Sequence, residues 1–170
     1  MIKKSLISIG LIVLSLHTHA EIGEHQSRDG TLQIKENPTT FQETLYYNNK
    51  IVEPKVEGNN SLSAKGPYKL KSDDIFLIED HGGTVCPIQL NFVKITPAKK
   101  VVVSPIFGSC SDLIKVSKTK DHIIVNMPDY AGGDQSDEDK EKTARKKMTY
   151  IYDGTTITEN GKLVDSRERW

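Results

Sequence analysis

Short apolar and β-branched runs, each closed by turn residues, recur from residue 30 almost to the end of the chain, with little helical periodicity between them. That rhythm predicts an all-β fold, because a strand exposes alternate side chains to alternate faces and needs a turn before the next strand can pair with it. Thr31 to Lys35 is a first strand. Phe41 to Tyr47 follows and turns at Asn48-Asn49 into Ile51 and Val52, since asparagine tolerates the left-handed backbone of hairpin turns. Gly58-Asn59-Asn60 is a further turn, and Ser61 to Ala64 and Tyr68 to Leu70 read as two weaker strands split by Lys65-Gly66-Pro67.

The middle of the chain carries the strongest signal. Asp74 to Glu79 holds four consecutive apolar residues, Ile75 to Ile78, which predicts a strand covered on both faces. Ile88 to Thr96 begins by alternating, with Ile88, Leu90 and Phe92 on the core side and Gln89 and Asn91 on the wet side. Val101 to Val103 continues the sheet, and Ser104 to Asp112 is an irregular connection. Leu113 to Val116 and His122 to Met127 then read as a hairpin. Met148 to Tyr152 and Thr155 to Thr158 flank Asp153-Gly154, a strong hairpin turn, and Asn160-Gly161 repeats that chemistry before Leu163 and Val164. About nine strands in one domain predict an antiparallel β-sandwich or a partly closed β-barrel.

Between them lies a segment of different composition. Residues 129–147 carry Asp129, Asp134, Asp137, Glu138, Asp139 and Glu141, followed by Arg145, Lys146 and Lys147. So few apolar side chains cannot anchor a core, which predicts a mobile charged loop or a short solvated helix. Thr44 to Asn49 and Thr149 to Gly154 echo each other, both being aromatic strands that run into a turn, and we read this as convergence on hairpin chemistry. Tyr46, Tyr47, Tyr150 and Tyr152 are accordingly expected in cross-strand core positions instead of on an exposed aromatic platform.

The beginning of the chain gives an address. Lys3 and Lys4 precede an apolar run from Ser5 to Leu16, and His17-Thr18-His19-Ala20 ends in small residues at alternate positions. This is the pattern of a signal peptide over residues 1–20, cleaved after Ala20. Its apolar run is about twelve residues, against the roughly twenty that span a membrane. Residues 21–165 then form a single all-β domain and 166–170 a polar tail ending in Trp170. The whole chain has a formal net charge of zero, and loss of the leader removes only Lys3 and Lys4. Near-neutrality argues against nucleic-acid binding, and no later apolar stretch reaches membrane-spanning length. The expectation is a soluble exported protein, periplasmic in the first instance and secreted in the second.

Export makes the two cysteines informative. In an oxidising compartment Cys86 and Cys110 are most simply a disulfide. Closing a loop of about 24 residues stabilises the fold by about 3 kcal/mol through the unfolded chain. The bridge brings together two glycine-bearing loops rich in polar side chains, 79–87 and 107–112. Loops on a rigid scaffold are where recognition concentrates, so Asp80, His81, Gly82, Gly83, Thr84, Phe107, Ser109 and Asp112, together with the charged loop at 129–147, are expected at a partner-binding surface.

Catalytic readings find less support. The bridge consumes both thiols, Gly-x-Ser-x-Gly is absent around Ser109, and no carboxylate pair stands out from the rest. His25, His81 and His122 lack zinc-ligand spacing, and the acidic run at 134–139 lacks the pattern of a calcium loop. No cofactor and no metal are expected. The leading expectation is therefore a protein-binding module without enzymatic activity, an inhibitor or immunity-type protein whose partner is another exported or periplasmic protein, such as a wall-degrading or otherwise toxic enzyme. The alternatives are a small-ligand or saccharide-binding β-barrel, and a hydrolase with dispersed carboxylates around Asp80, His81 and Asp112.

Overall fold

The apolar run at Ile75 to Ile78 needs a cover on each face, and the computed structural model, which describes residues 21–83, 85–132 and 135–164, supplies two. The expected leader, Thr84 and the polar tail lie outside the described residues. Three antiparallel sheets follow one another along the chain. The first holds β1 (Glu21–Ser27), β2 (Gly30–Glu36), β3 (Glu43–Tyr47) and β4 (Lys50–Ile51). The second holds β5 (Ser61–Leu70), β6 (Asp73–His81), β7 (Ile88–Ile95) and β8 (Val101–Val103). The third holds β9 (Lys115–Lys118), β10 (Ile123–Pro128), β11 (Lys147–Tyr152), β12 (Ile157–Glu159) and β13 (Lys162–Leu163). Neighbours in every sheet are consecutive in the chain, so each sheet is a meander. The sheets stay open instead of closing into a barrel, and the architecture is that of a sandwich.

The second sheet is the middle layer. Phe76 and Ile78 of β6, with Val93 and Ile95 of β7, pack against Leu32, Ile34, Leu45 and Tyr47 of the first sheet. Ile75 and Leu77, with Leu90 and Phe92, face the other way onto Ile123, Val125, Tyr150 and Tyr152 of the third. One strand thus contributes to two cores because its side chains alternate while its sequence does not. The second core is filled by rings: Phe92 stacks on Tyr152 at 4.5 Å and on Phe107 at 5.0 Å, and Phe107 tilts against Tyr150 at 5.3 Å. Tyr47, Tyr150 and Tyr152 are core residues, whereas Tyr46 is half-buried on the outer face of its sheet.

The two outer sheets are also fastened at one end of β6. Asp74, almost fully buried, accepts the Arg28 backbone N–H at 2.7 Å from the β1–β2 turn and pairs with Lys69. On the opposite face Lys94 donates to the Gly154 carbonyl at 2.6 Å, in the β11–β12 turn, and stands 4.0 Å from Asp73. Burial alone would push the Asp74 carboxyl up, but the hydrogen bonds from Lys69 and Arg28 and the charges of both residues outweigh it and hold the group below the ordinary aspartate range.

The boundaries differ from expectation in several places. β1 is an unforeseen strand: its polar sequence hides it, and pairing with β2 plus an edge-on contact of His25 with Phe76 at 6.3 Å holds it in place. Ser61 to Leu70 is a single strand, since the register shift between Lys65 and Tyr68 absorbs Gly66 and Pro67 as a bulge. Phe41 belongs to a turn with φ 59°, and β9 starts at Lys115, leaving Leu113 outside it. Within 129–147 the helical alternative is found as α1 (Asp137–Ala144). The Ser136 hydroxyl caps it by accepting the Asp139 N–H, three acidic residues occupy its first turn, and no residue in it is buried.

Phe76→Ala and Leu77→Ala remove fully buried side chains from opposite faces of the same strand. Each is expected to cost about 3 kcal/mol in denaturant unfolding; a loss below about 1 kcal/mol for either would show that its face is not a core. Asp74→Ala is expected to cost about 2–4 kcal/mol at neutral pH. Because the folded pKa is depressed, this contribution is complete above the unfolded carboxyl value and is lost as pH falls through the folded one. The wild-type advantage over Asp74→Ala should therefore hold from neutral pH down to about pH 4 and shrink only below it. An advantage that vanishes already between pH 7 and 5 would contradict the assignment.

Candidate functional site

At the end of β6 opposite Asp74, the chain leaves His81 and turns through Gly82 and Gly83 before Cys86 and β7. Gly82 has φ 111°, and a Cβ there would lie 2.4 Å from the Asn60 side chain; a Cβ on Gly83 would lie 2.7 Å from the Cys86 carbonyl oxygen. Glycine is therefore a structural requirement at both positions. The expected bridge is present: Cys86 and Cys110 are bonded, with Cα atoms 4.8 Å apart. It fixes the 82–87 loop to the 107–113 segment, where Gly108 has φ 115° beside Leu90. A third segment joins them. The Ser109 hydroxyl donates to the Pro128 carbonyl at 2.5 Å, and Gly132 approaches so closely that a Cβ on it would lie 2.9 Å from the Val85 oxygen.

These three segments carry much of the exposed apolar surface. Val85 is 70% exposed, Leu113 64% and Tyr130 36%, and Ile106 is exposed just before Phe107. Single exposed apolar side chains need no explanation, but Val85 and Tyr130 lie on segments that meet at Gly132 and Leu113 follows the bridged Cys110, so these side chains are carried on loops held together.

The residues expected at this surface divide. Gly82, Gly83 and Ser109 shape the loops, and Asp112 is exposed on the second loop. Asp80 and His81, being adjacent in β6, point to opposite faces and do not converge. Asp80 accepts the Asn59 backbone N–H at 2.7 Å and its side-chain amide at 3.3 Å; burial pushes its carboxyl up, offset in part by the Asn59 N–H and the nearby His81. Phe107 corrects the expectation outright. It is 1% exposed and exchanges backbone hydrogen bonds with Leu90, so it is a core ring and cannot touch a partner. Val85 and Tyr130 lie in the expected segments 79–87 and 129–147 but were not singled out, and Leu113 was expected in a strand. Their signal was present: Val85 is an apolar residue beside a cysteine in a polar loop, and Tyr130 is an aromatic in a charged segment.

His81 enters a polar cluster on the face of the middle sheet that is turned toward the third sheet. Its Nε2 lies 3.0 Å from the Ser63 hydroxyl and 3.6 Å from Glu79 Oε2, the Ser63 hydroxyl donates to Glu79 Oε2 at 3.1 Å, and Lys65 Nζ pairs with Glu79 Oε1 at 2.5 Å. The residue types are those of a hydrolytic triad, but the arrangement is not. A relay needs serine and acid on opposite ring nitrogens, so that the acid orients the ring while the ring takes the serine proton. Here both lie at the same nitrogen, and the serine proton points at the carboxylate. The cluster sets the buried Glu79 between Lys65 and the Ser63 hydroxyl and lacks the serine–histidine–acid order of a relay.

Comparison with known protein families, characterised proteins and solved structures finds no match to this chain.

Replacing both cysteines with serine is expected to lower stability by about 3 kcal/mol in urea unfolding while strand content by circular dichroism is retained. An unchanged urea midpoint would contradict the stabilising role of the bridge.

Proposed function

We propose that this protein is an exported, periplasmic protein-binding module, an inhibitor or immunity-type protein whose partner is another exported protein such as a wall-degrading or toxic enzyme. The observation that carries the reading is the exposure of Val85, Leu113 and Tyr130 on three loop segments, two tied by the Cys86–Cys110 bridge and the third held to them at Ser109 and Val85. Apolar side chains on rigid loops lose little conformational freedom when they are covered, which is what a recognition surface needs. The disulfide fits an oxidising compartment, in keeping with the leader pattern at residues 1–20. The space between the sheets is occupied by Phe92, Phe107, Tyr150 and Tyr152, which removes the main attraction of the small-ligand carrier. The geometry at Ser63, Glu79 and His81 likewise lends the hydrolase no support.

The test is affinity capture from periplasmic extract with the oxidised protein and with a Val85→Asp/Tyr130→Ala variant, followed by assay of the captured protein's activity. Both positions are on the surface, so the variant should fold with an unchanged melting temperature. A partner held by the wild type, lost by the variant and inhibited on binding is the expected result. Repeated capture of nothing would overturn the reading, and equal capture by both proteins would move the contact off these loops.

A further inference from the structure

Beside the apolar loops the third sheet opens into a groove of about 400 Å³, set between β9, the last residues of β10 and the C-terminal end of α1. It exists because β9 ends its pairing early. β10 pairs with β9 from Ile123 to Asn126, and beyond Asn126 the chain before β9 swings away toward the bridged loop. The floor is apolar, made by Leu113 and Pro128 beside Met127, whose side chain is buried in the core on the inner face of β10. The other lining residues include four cations, Lys115, Arg145, Lys146 and Lys147. Among the described residues none that lines it is acidic.

The cations differ in what they already hold. Arg145 pairs with Glu141 at 3.2 Å and Lys146 with Asp129 at 3.6 Å. Lys115 and Lys147 are exposed, have no acidic partner among the described residues, and stand on the same outer face of the sheet, opposite Asn126 and Pro128 of β10. Asn126, which also lines the groove, accepts the Thr149 hydroxyl at its Oδ1 at 2.9 Å, which leaves its amide N–H groups as donors. An apolar floor, uncommitted cations and amide donors together fit an occupant that is apolar at its centre and negatively charged at its edges.

We propose that this groove docks an acidic segment of the partner protein. One large apolar side chain packs on Leu113 and Pro128, and flanking carboxylates meet Lys115 and Lys147. A peptide fits better than an anionic lipid because β9 is the outer strand of its sheet, with no neighbour on its other edge among the described strands. An extended peptide can add its main-chain hydrogen bonds along that edge, whereas an acyl chain cannot. Leu113 belongs to both the groove and the exposed loop patch, so the two surfaces are continuous. The inference rests on the protein-binding reading and adds the chemistry of the partner.

The test is selection of a random displayed dodecapeptide library on the full oxidised protein, with the Lys115→Glu/Lys147→Glu variant as counter-target and anionic phosphatidylglycerol vesicles as a second probe. Selected peptides should carry an acidic excess around a central aromatic or aliphatic residue. They should bind the variant at least about tenfold more weakly and weaken as salt rises. No enrichment, enrichment without acidic excess, or equal binding to the variant would overturn the proposal. Vesicle binding that depends on Lys115 and Lys147 and competes with the peptides would assign the groove to a lipid surface instead. A partner that the Lys115→Glu/Lys147→Glu variant still captures from periplasm, through Val85 and Tyr130, would leave the protein-binding reading standing while removing this groove from it.

Discussion

The double burial of β6 is the constraint on which the molecule depends. Phe76 and Ile78 belong to one core and Ile75 and Leu77 to the other, so neither outer sheet needs contact with the other to be covered. Each outer sheet has a hydrophobic face that would be exposed without the middle layer, and apolar burial at roughly 25 cal/mol per Å² makes that exposure costly. Asp74 and Lys94 then set where the outer hairpins sit, by accepting the Arg28 N–H on one side and donating to the Gly154 carbonyl on the other. These polar ties contribute position more than energy. The apolar faces supply the drive, and the ties select one of the placements it permits.

Rigidity at the middle layer gives the opposite end of β6 its use. The loops after His81 and around Phe107 leave strands that are fixed from both sides, and the disulfide joins them a few residues beyond the core. Phe107 is the hinge of this arrangement, with its ring in the aromatic stack and its backbone paired to Leu90. The exposed side chains of Val85 and Leu113 are therefore presented from anchored backbone although they lie in irregular segments. The adjacent groove has a related origin, because it opens where β9 stops pairing and α1, a helix with no buried residue, returns the chain to β11.

Much of this was legible in the sequence. Four apolar residues in succession at 75–78 announced a strand covered on both faces, and the Asn48-Asn49 and Asn160-Gly161 turns adopt the positive φ their residues suggest. What was not legible has physical reasons. β1 is polar because an edge strand is held by backbone pairing and needs few apolar side chains. Gly66-Pro67 read as a break because local signals do not distinguish a turn from a bulge that the neighbouring strand carries across. Phe107 looked like a loop residue since its apolar partners are distant in sequence, and Val85 and Tyr130 acquire meaning only when Gly132 is seen against the Val85 carbonyl.

Native-state hydrogen exchange followed by mass spectrometry tests the central layer most directly. If β6 supports both cores, its amides and those of β7 should be the last to exchange and should do so only with global unfolding, while α1 and the 82–87 loop exchange first. Exchange of β6 while either outer sheet keeps its protection would contradict the account, since that sheet would then be stable without the layer it is held to depend on.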